Sequence, residues 1–210
     1  MLQLISATPS PYARKVRIAL IEKNIPFELI TEVPWNSDAI TPKYNPLGKL
    51  PVLLLEDGSS VYDSRFILEW LELMFPDTPL LPSSVPERLL AKQFEVLCDG
   101  VCDAVVLLFF ERMRGKNESP DWSARQIRKI EWGVGEIARL VGQRSYAVGN
   151  SLSLGDISIG SALGYLSVRF KEFNWKKLYP SLEHYFLALE QRSSFKETVP
   201  YPQTISDKVV

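Results

Sequence analysis

The 210 residues include only one histidine and two cysteines. A single histidine, His184, rules out a histidine-rich metal centre, and no Cys/His spacing of the zinc type occurs, so no metal is expected. Cys98 and Cys102 stand four residues apart in a helical pattern. At that spacing the side chains point the same way along one face and are poorly aimed for a disulfide, so both are expected as buried, reduced thiols. A charge of one sign is also lacking: 24 Lys and Arg face 25 Asp and Glu, for a formal net charge of −1. Such a balance gives no general attraction to nucleic acid or to acidic membranes. The local basic groups Arg14-Lys15-Arg17 and Arg125-Arg128-Lys129 read as solvated helix faces. No segment approaches the roughly 18 apolar residues of a membrane span, and Met1 to Ser6 has no basic stretch ahead of an apolar one. A cytoplasmic protein without membrane or nucleic-acid partners is expected.

What is present is a change of periodicity along the chain. A chain of this size can form one large domain or two small ones. Leu2 to Ile5 reads as a strand, Pro11 to Lys23 as a helix and Phe27 to Ile30 as a second strand. A short helix or turn around Ser37 to Tyr44 follows, then a hairpin of Val52–Leu55 and Ser60–Tyr62 over Asp57-Gly58, then a helix from Ser64. This is the order of an α/β, thioredoxin-like domain, placed at residues 1–77. Pro76 to Pro86 holds four prolines and little periodicity, and residues 78–86 are read as a linker. Residues 87–210 read as an all-α, helical-bundle domain: a long helix from Glu87 to Arg114, another from Asp121 to Val141, a third opening at Ser153, and shorter ones from Pro180 and Phe195. Ser153 and Asp156 have the spacing of a capping box and are assigned to structure. The tail from Pro200 is expected to be mobile.

The stretch Asn45-Pro46-Leu47-Gly48-Lys49-Leu50-Pro51-Val52, with Asp63-Ser64 beginning twelve residues after Pro51, is the most informative. Proline has no N–H for a ladder, so Pro51 is an awkward entrance to the apolar run behind it unless the Leu50–Pro51 bond is cis. That geometry turns the main chain of Leu50 outward, where its N–H and C=O can pair with an extended ligand by strand addition. Asp63-Ser64 then opens a helix whose N-terminal N–H groups suit a carboxylate. Together these suggest a site for a small, anionic peptide, although a turn and a helix cap of ordinary structural kind fit each piece alone.

In order and spacing this stretch resembles the glutathione-binding half of the soluble glutathione S-transferases, and the likeness extends over essentially the whole chain. The resemblance implies that Leu50, beside Pro51, bonds the cysteinyl part of glutathione, and that Asp63 and Ser64 hold its γ-glutamyl end. Ser10-Pro11-Tyr12-Ala13-Arg14 resembles the serine-type motif of theta, zeta and related bacterial members, in a branch that also includes the beta class. Ser10 is placed as the N-cap of the first helix, ahead of Pro11. There it is expected to stabilise the thiolate of glutathione, the co-substrate, for attack on a small electrophile. Thr8 and Tyr12 are rival hydroxyls. Trp35 is either a wall of the glycyl pocket or an exposed loop aromatic, and Lys49 either neutralises the glycyl carboxylate or is solvated. The electrophile is expected between the domains, near Tyr12, Val106, Phe109, Phe110 and Met113.

The resemblance further implies a homodimer, in which Asp99 and Asp103 either reach toward the partner's glutathione or form a solvated face. Two alternatives stand beside a conjugating transferase. One is a glutathione-dependent isomerase or dehalogenase, and the other is a non-catalytic transferase-like binding module. A serine where thiol–disulfide oxidoreductases carry cysteine excludes a mixed-disulfide mechanism through that residue.

Overall fold

The computed structural model describes residues 1–209. Its four strands are β1 (Leu2–Ser6), β2 (Phe27–Thr31), β3 (Val52–Leu54) and β4 (Ser60–Val61). Its helices are α1 (Pro11–Glu22), α2 (Ser64–Met74), α3 (Val85–Met113), α4 (Pro120–Val141), α5 (Leu154–Arg169), α6 (Trp175–Leu178), α7 (Pro180–Leu189) and α8 (Ser193–Lys196). The chain divides into two compact units: residues 1–80 together with 193–208, and residues 81–192.

In the first unit the sheet order is β2-β1-β3-β4, with β1 parallel to β2 and antiparallel to β3. This mixed sheet is that of a thioredoxin-like domain. Ile5, Val52 and Leu54 form one buried face, joined by Ile30, Ile40, Tyr44 and Tyr62. Strand alternation sends Leu4 and Leu53 to the other face, which α1 and α2 close with fully buried Val16, Leu20, Ile67 and Leu71. Asn24, in the left-handed region at φ 55°, ends α1 as a residue tolerant of that conformation. Beside it, buried Lys23 donates to Phe75 O and Thr78 O at 2.9 and 2.8 Å and pairs with Glu72 at 2.7 Å. A desolvated ammonium requires this full set of partners.

Four sequence expectations change here. Arg14 and Lys15 are not solvated but are among the largest fully buried side chains. The reason is α8, which folds back over α1: the Arg14 guanidinium lies 5.5 Å from the Phe195 ring centroid and donates to Phe195 O at 3.3 Å. The segment from Ser193 belongs with the sheet and not with a helical domain running to residue 210; that domain's expected last residue, Val210, lies outside the described residues. The tail from Pro200 is also tied down rather than mobile, by hydrogen bonds to Thr8, Glu32, Asn36 and Ser37. The proline-rich linker is one residue pair shorter than expected, because Pro86 takes up the first turn of α3, where its missing N–H costs nothing.

In the second unit α3 packs against α4 and α5. Gly133 of α4 permits the first contact, since a Cβ there would stand 2.4 Å from Val101 Cγ2. α5 is buried along nearly its whole length, as a helix apolar all round must be. Cys98 and Cys102 are buried on α3 and not joined in a disulfide, while Arg125, Arg128 and Lys129 are exposed on α4. Among the described residues no helix is long and apolar enough to cross a membrane.

Burial pushes the Tyr165 and Tyr185 phenols above the ordinary tyrosine range, and at Tyr185 the adjacent Asp156 carboxylate adds to the rise. The folded state therefore keeps protons that the unfolded chain releases near pH 10. Stability is full below about pH 10 and falls above it, by about 1.4 kcal/mol per pH unit for each phenol. Urea midpoints are expected to fall between about pH 10 and 11.5, and less steeply in Tyr185→Phe. An equal slope in that variant removes Tyr185 from the explanation.

Candidate functional site

The site begins at the C-terminal end of β1. Ser10 leaves the strand with extended backbone and caps α1, its Oγ accepting from Ala13 N–H at 3.2 Å, with Pro11 in the first turn. Its own N–H closes a turn on Ala7 O at 3.1 Å. The hydroxyl proton of Ser10 makes no hydrogen bond among the described residues. Thr8 differs: it is buried, and its hydroxyl donates to Tyr201 O at 3.1 Å. Of these two hydroxyls, only Thr8's has its proton engaged among the described residues. Tyr12 is half-buried within the first turn of α1.

The second element is the loop before β3. The Leu50–Pro51 bond is cis. Leu50 N–H and C=O have no partner among the described residues, and Pro51 is buried behind them. Asn45 builds this loop, a role that its place in the motif did not disclose. From a buried position its Oδ1 accepts from Leu47 N–H at 3.0 Å, an Asx turn, and its Nδ2 donates to Lys49 O at 2.6 Å. Gly48, at φ 61°, takes the left-handed turn that this clasp requires. Asparagine before Pro-Leu-Gly is the signal from which the Asx turn was readable. Lys49 itself is exposed.

Asp63 caps α2, accepting from Arg65 and Phe66 N–H at 3.0 and 3.4 Å. Its own carboxylate therefore fills part of the donor set expected to be open. The N–H of buried Ser64, one residue further, has no acceptor among the described residues. Trp35, 45% exposed, projects from the 33–36 turn that follows β2.

On α3 of the second unit, Val106, Phe109 and Phe110 are half-buried and Met113 is exposed, at helical spacing beside buried Val101, Val105 and Leu108. Phe109 and Phe110 meet edge to face at 5.1 Å, and the Arg169 guanidinium stacks 4.1 Å from the Phe109 centroid. Arg169, from α5, was absent from the sequence expectation because its separation in the chain hides this contact. Asp99 is buried within its own chain, whereas Asp103 is exposed. Ser153 and Asp156 form the expected helix cap, with Ser153 N–H on Asp156 Oδ2 at 2.8 Å.

A thioredoxin-like sheet with a serine-capped first helix and an open main-chain edge before a cis-proline, followed by a helical domain, defines a class of protein. Family models described as the glutathione S-transferase N-terminal and C-terminal domains match residues 9–74 and 120–188. A glutathione S-transferase of Methylobacterium radiotolerans, solved in complex with glutathione sulfonate, is 60% identical with a TM-score of 0.98, covering 100% of this chain and 99% of that one. Another, of Methylobacillus flagellatus with glutathione bound, is 37% identical with a TM-score of 0.91, over 95% and 100% of the two chains. The uncharacterized GST-like protein YibF of Escherichia coli is 34% identical over 95% of this chain and 98% of its own length. The chain belongs to the glutathione S-transferase superfamily.

Proposed function

We propose that this protein binds glutathione, ionises its thiol and presents the thiolate to a small electrophile. The observation that carries this is Ser10, which caps α1 with its hydroxyl proton unengaged while the neighbouring Thr8 hydroxyl is already bonded. In this reading the cysteinyl part of glutathione lies along Leu50 as an added strand, Ser64 N–H meets the γ-glutamyl carboxylate, and Trp35 and Lys49 address the glycyl end. Asp63 serves by holding the α2 N-terminus and by offering its carboxylate to the γ-glutamyl ammonium.

Isothermal calorimetry on the wild type, with the thiolate followed by ultraviolet difference absorbance from pH 5 to 9, tests the proposal. Binding with a thiol pKa about two units below the reference value of about 8.5 is expected. Binding without that shift would leave a glutathione-binding module. No binding at all would overturn the proposal.

A further inference from the structure

The parallel ladder of β1 and β2 runs from Leu2 opposite Phe27 to Ser6 opposite Thr31, and its last rung is Glu32 N–H on Ser6 O at 2.9 Å. By the alternation of a parallel ladder, the next rung would run from Thr8 N–H to Glu32 O. A side chain stands in its place. Gln203 Oε1 accepts from Thr8 N–H at 3.2 Å, and Gln203 Nε2 donates to Glu32 O at 3.4 Å. One carboxamide satisfies both main-chain groups and parts the strand ends by its own width. Tyr201 O holds the Thr8 hydroxyl on one side of this wedge. On the other side, Ser206 N–H donates to Asn36 Oδ1 at 3.1 Å and Asp207 accepts from Ser37 N–H. The approach to the wedge is fixed as well, by Arg14 on Phe195 O and Arg17 on Glu197 O.

We propose that Gln203 is a positioning residue for Ser10: by taking the rung between β1 and β2, it fixes the 7–10 turn and so aims the Ser10 hydroxyl at the ligand's sulfur. This role rests on the proposed thiol-activating function of Ser10. Thr8 is buried and its N–H is held by the Gln203 carboxamide, so removing that group takes away the partner that fixes the Thr8 amide. Thr8 lies inside the turn that Ser10 N–H closes on Ala7 O, so a reoriented Thr8 amide moves the cap residue itself. By engaging the Thr8 hydroxyl, the tail also leaves Ser10 as the unengaged hydroxyl of the loop.

The test uses the full chain with Gln203→Ala and the near-isosteric Gln203→Met, which keeps side-chain volume but neither hydrogen bond. Both variants are expected to raise the thiol pKa of bound glutathione by about one unit and to lower kcat at pH 6.5 by about two- to fivefold toward an aryl halide. Glutathione Kd and KM are expected to stay within about threefold, because the Leu50 and Ser64 contacts are distant from the wedge in the chain and unaltered. A residue that acts through Ser10 has nothing left to act on in its absence, so Gln203→Met should add no further pKa shift in a Ser10→Ala background. If Ser10→Ala raises the thiol pKa and Gln203→Met does not, the positioning role is overturned while thiol activation by Ser10 stands. If Ser10→Ala itself leaves the pKa unmoved, thiol activation fails and this role fails with it.

Discussion

Ser10→Ala is expected to return the thiol of bound glutathione to about its free value while leaving binding largely intact. Lowering a thiol pKa by two units takes about 2.7 kcal/mol of preference for the thiolate. One hydrogen bond from a hydroxyl to a charged group provides about 1.5–3 kcal/mol, and a helix N-terminus a further 0.3–1 or so. Removing the hydroxyl therefore removes most of the shift. At pH 6.5 a pKa near 6.5 leaves about half the thiol ionised, and a pKa near 8.5 about one hundredth, a deficit of about fiftyfold. The more basic thiolate is intrinsically the better nucleophile and recovers part of this, so a loss in kcat of about six- to fiftyfold is expected. The deficit should vanish or reverse near pH 9, where both enzymes hold mostly thiolate and the variant's is the more basic, and rate–pH profiles of the two read this directly. A loss that is constant across pH would mean that Ser10 acts on something other than ionisation.

Capping and activation at Ser10 separate by substitution. The Oγ accepts from Ala13 N–H, so alanine also costs about 1 kcal/mol of helix stability. Aspartate retains the cap, without a proton to donate at neutral pH, and places a negative charge beside sulfur. Ser10→Asp is expected to melt like the wild type and still lose the thiol shift. Ser10→Thr keeps both functions.

Asp156→Ala is expected to be the most destabilising single change, by about 3–5 kcal/mol. The carboxylate is fully buried and accepts from Ala147 N–H at 2.7 Å, from Ser153 N–H and hydroxyl at 2.8 and 2.7 Å, and from the Tyr185 hydroxyl. Alanine leaves each of those donors buried without an acceptor, and each such group carries its own desolvation cost. The loss falls on α5, the central helix of the second unit, so urea unfolding followed by circular dichroism should show it as a large fall in midpoint. Tyr185→Phe deletes one of these bonds and leaves no unsatisfied donor, so about 1 kcal/mol is expected. If Asp156→Ala costs no more than Tyr185→Phe, the carboxylate is not the organising group of this cap.

Much of the architecture was legible because its signals are local. Proline after serine marks the start of α1, Asp57-Gly58 the hairpin, the three-and-four spacing from Leu89 to Met113 the long helix, and the Ser153–Asp156 spacing the next cap. Each involves residues within a turn or two of one another, where capping and periodicity operate. The motif from Asn45 to Val52 was legible for the same reason, since a proline at the mouth of an apolar run constrains the residue just before it. The Arg14-Lys15 pair misled because burial is not a local property. Arg14 reads as solvent-facing until a segment about 180 residues away covers it.

The sequence by itself thus determined the order of strands and helices, the helix caps, the change from sheet to helical domain and the open edge at Leu50. These follow from backbone sterics and hydrogen bonding between near neighbours. Only the tertiary structure decided which loop hydroxyl keeps a free proton, which aspartate is buried, and how the strand ends above the site are parted. Each of those depends on a partner brought from the far end of the chain, and sequence spacing carries no record of it.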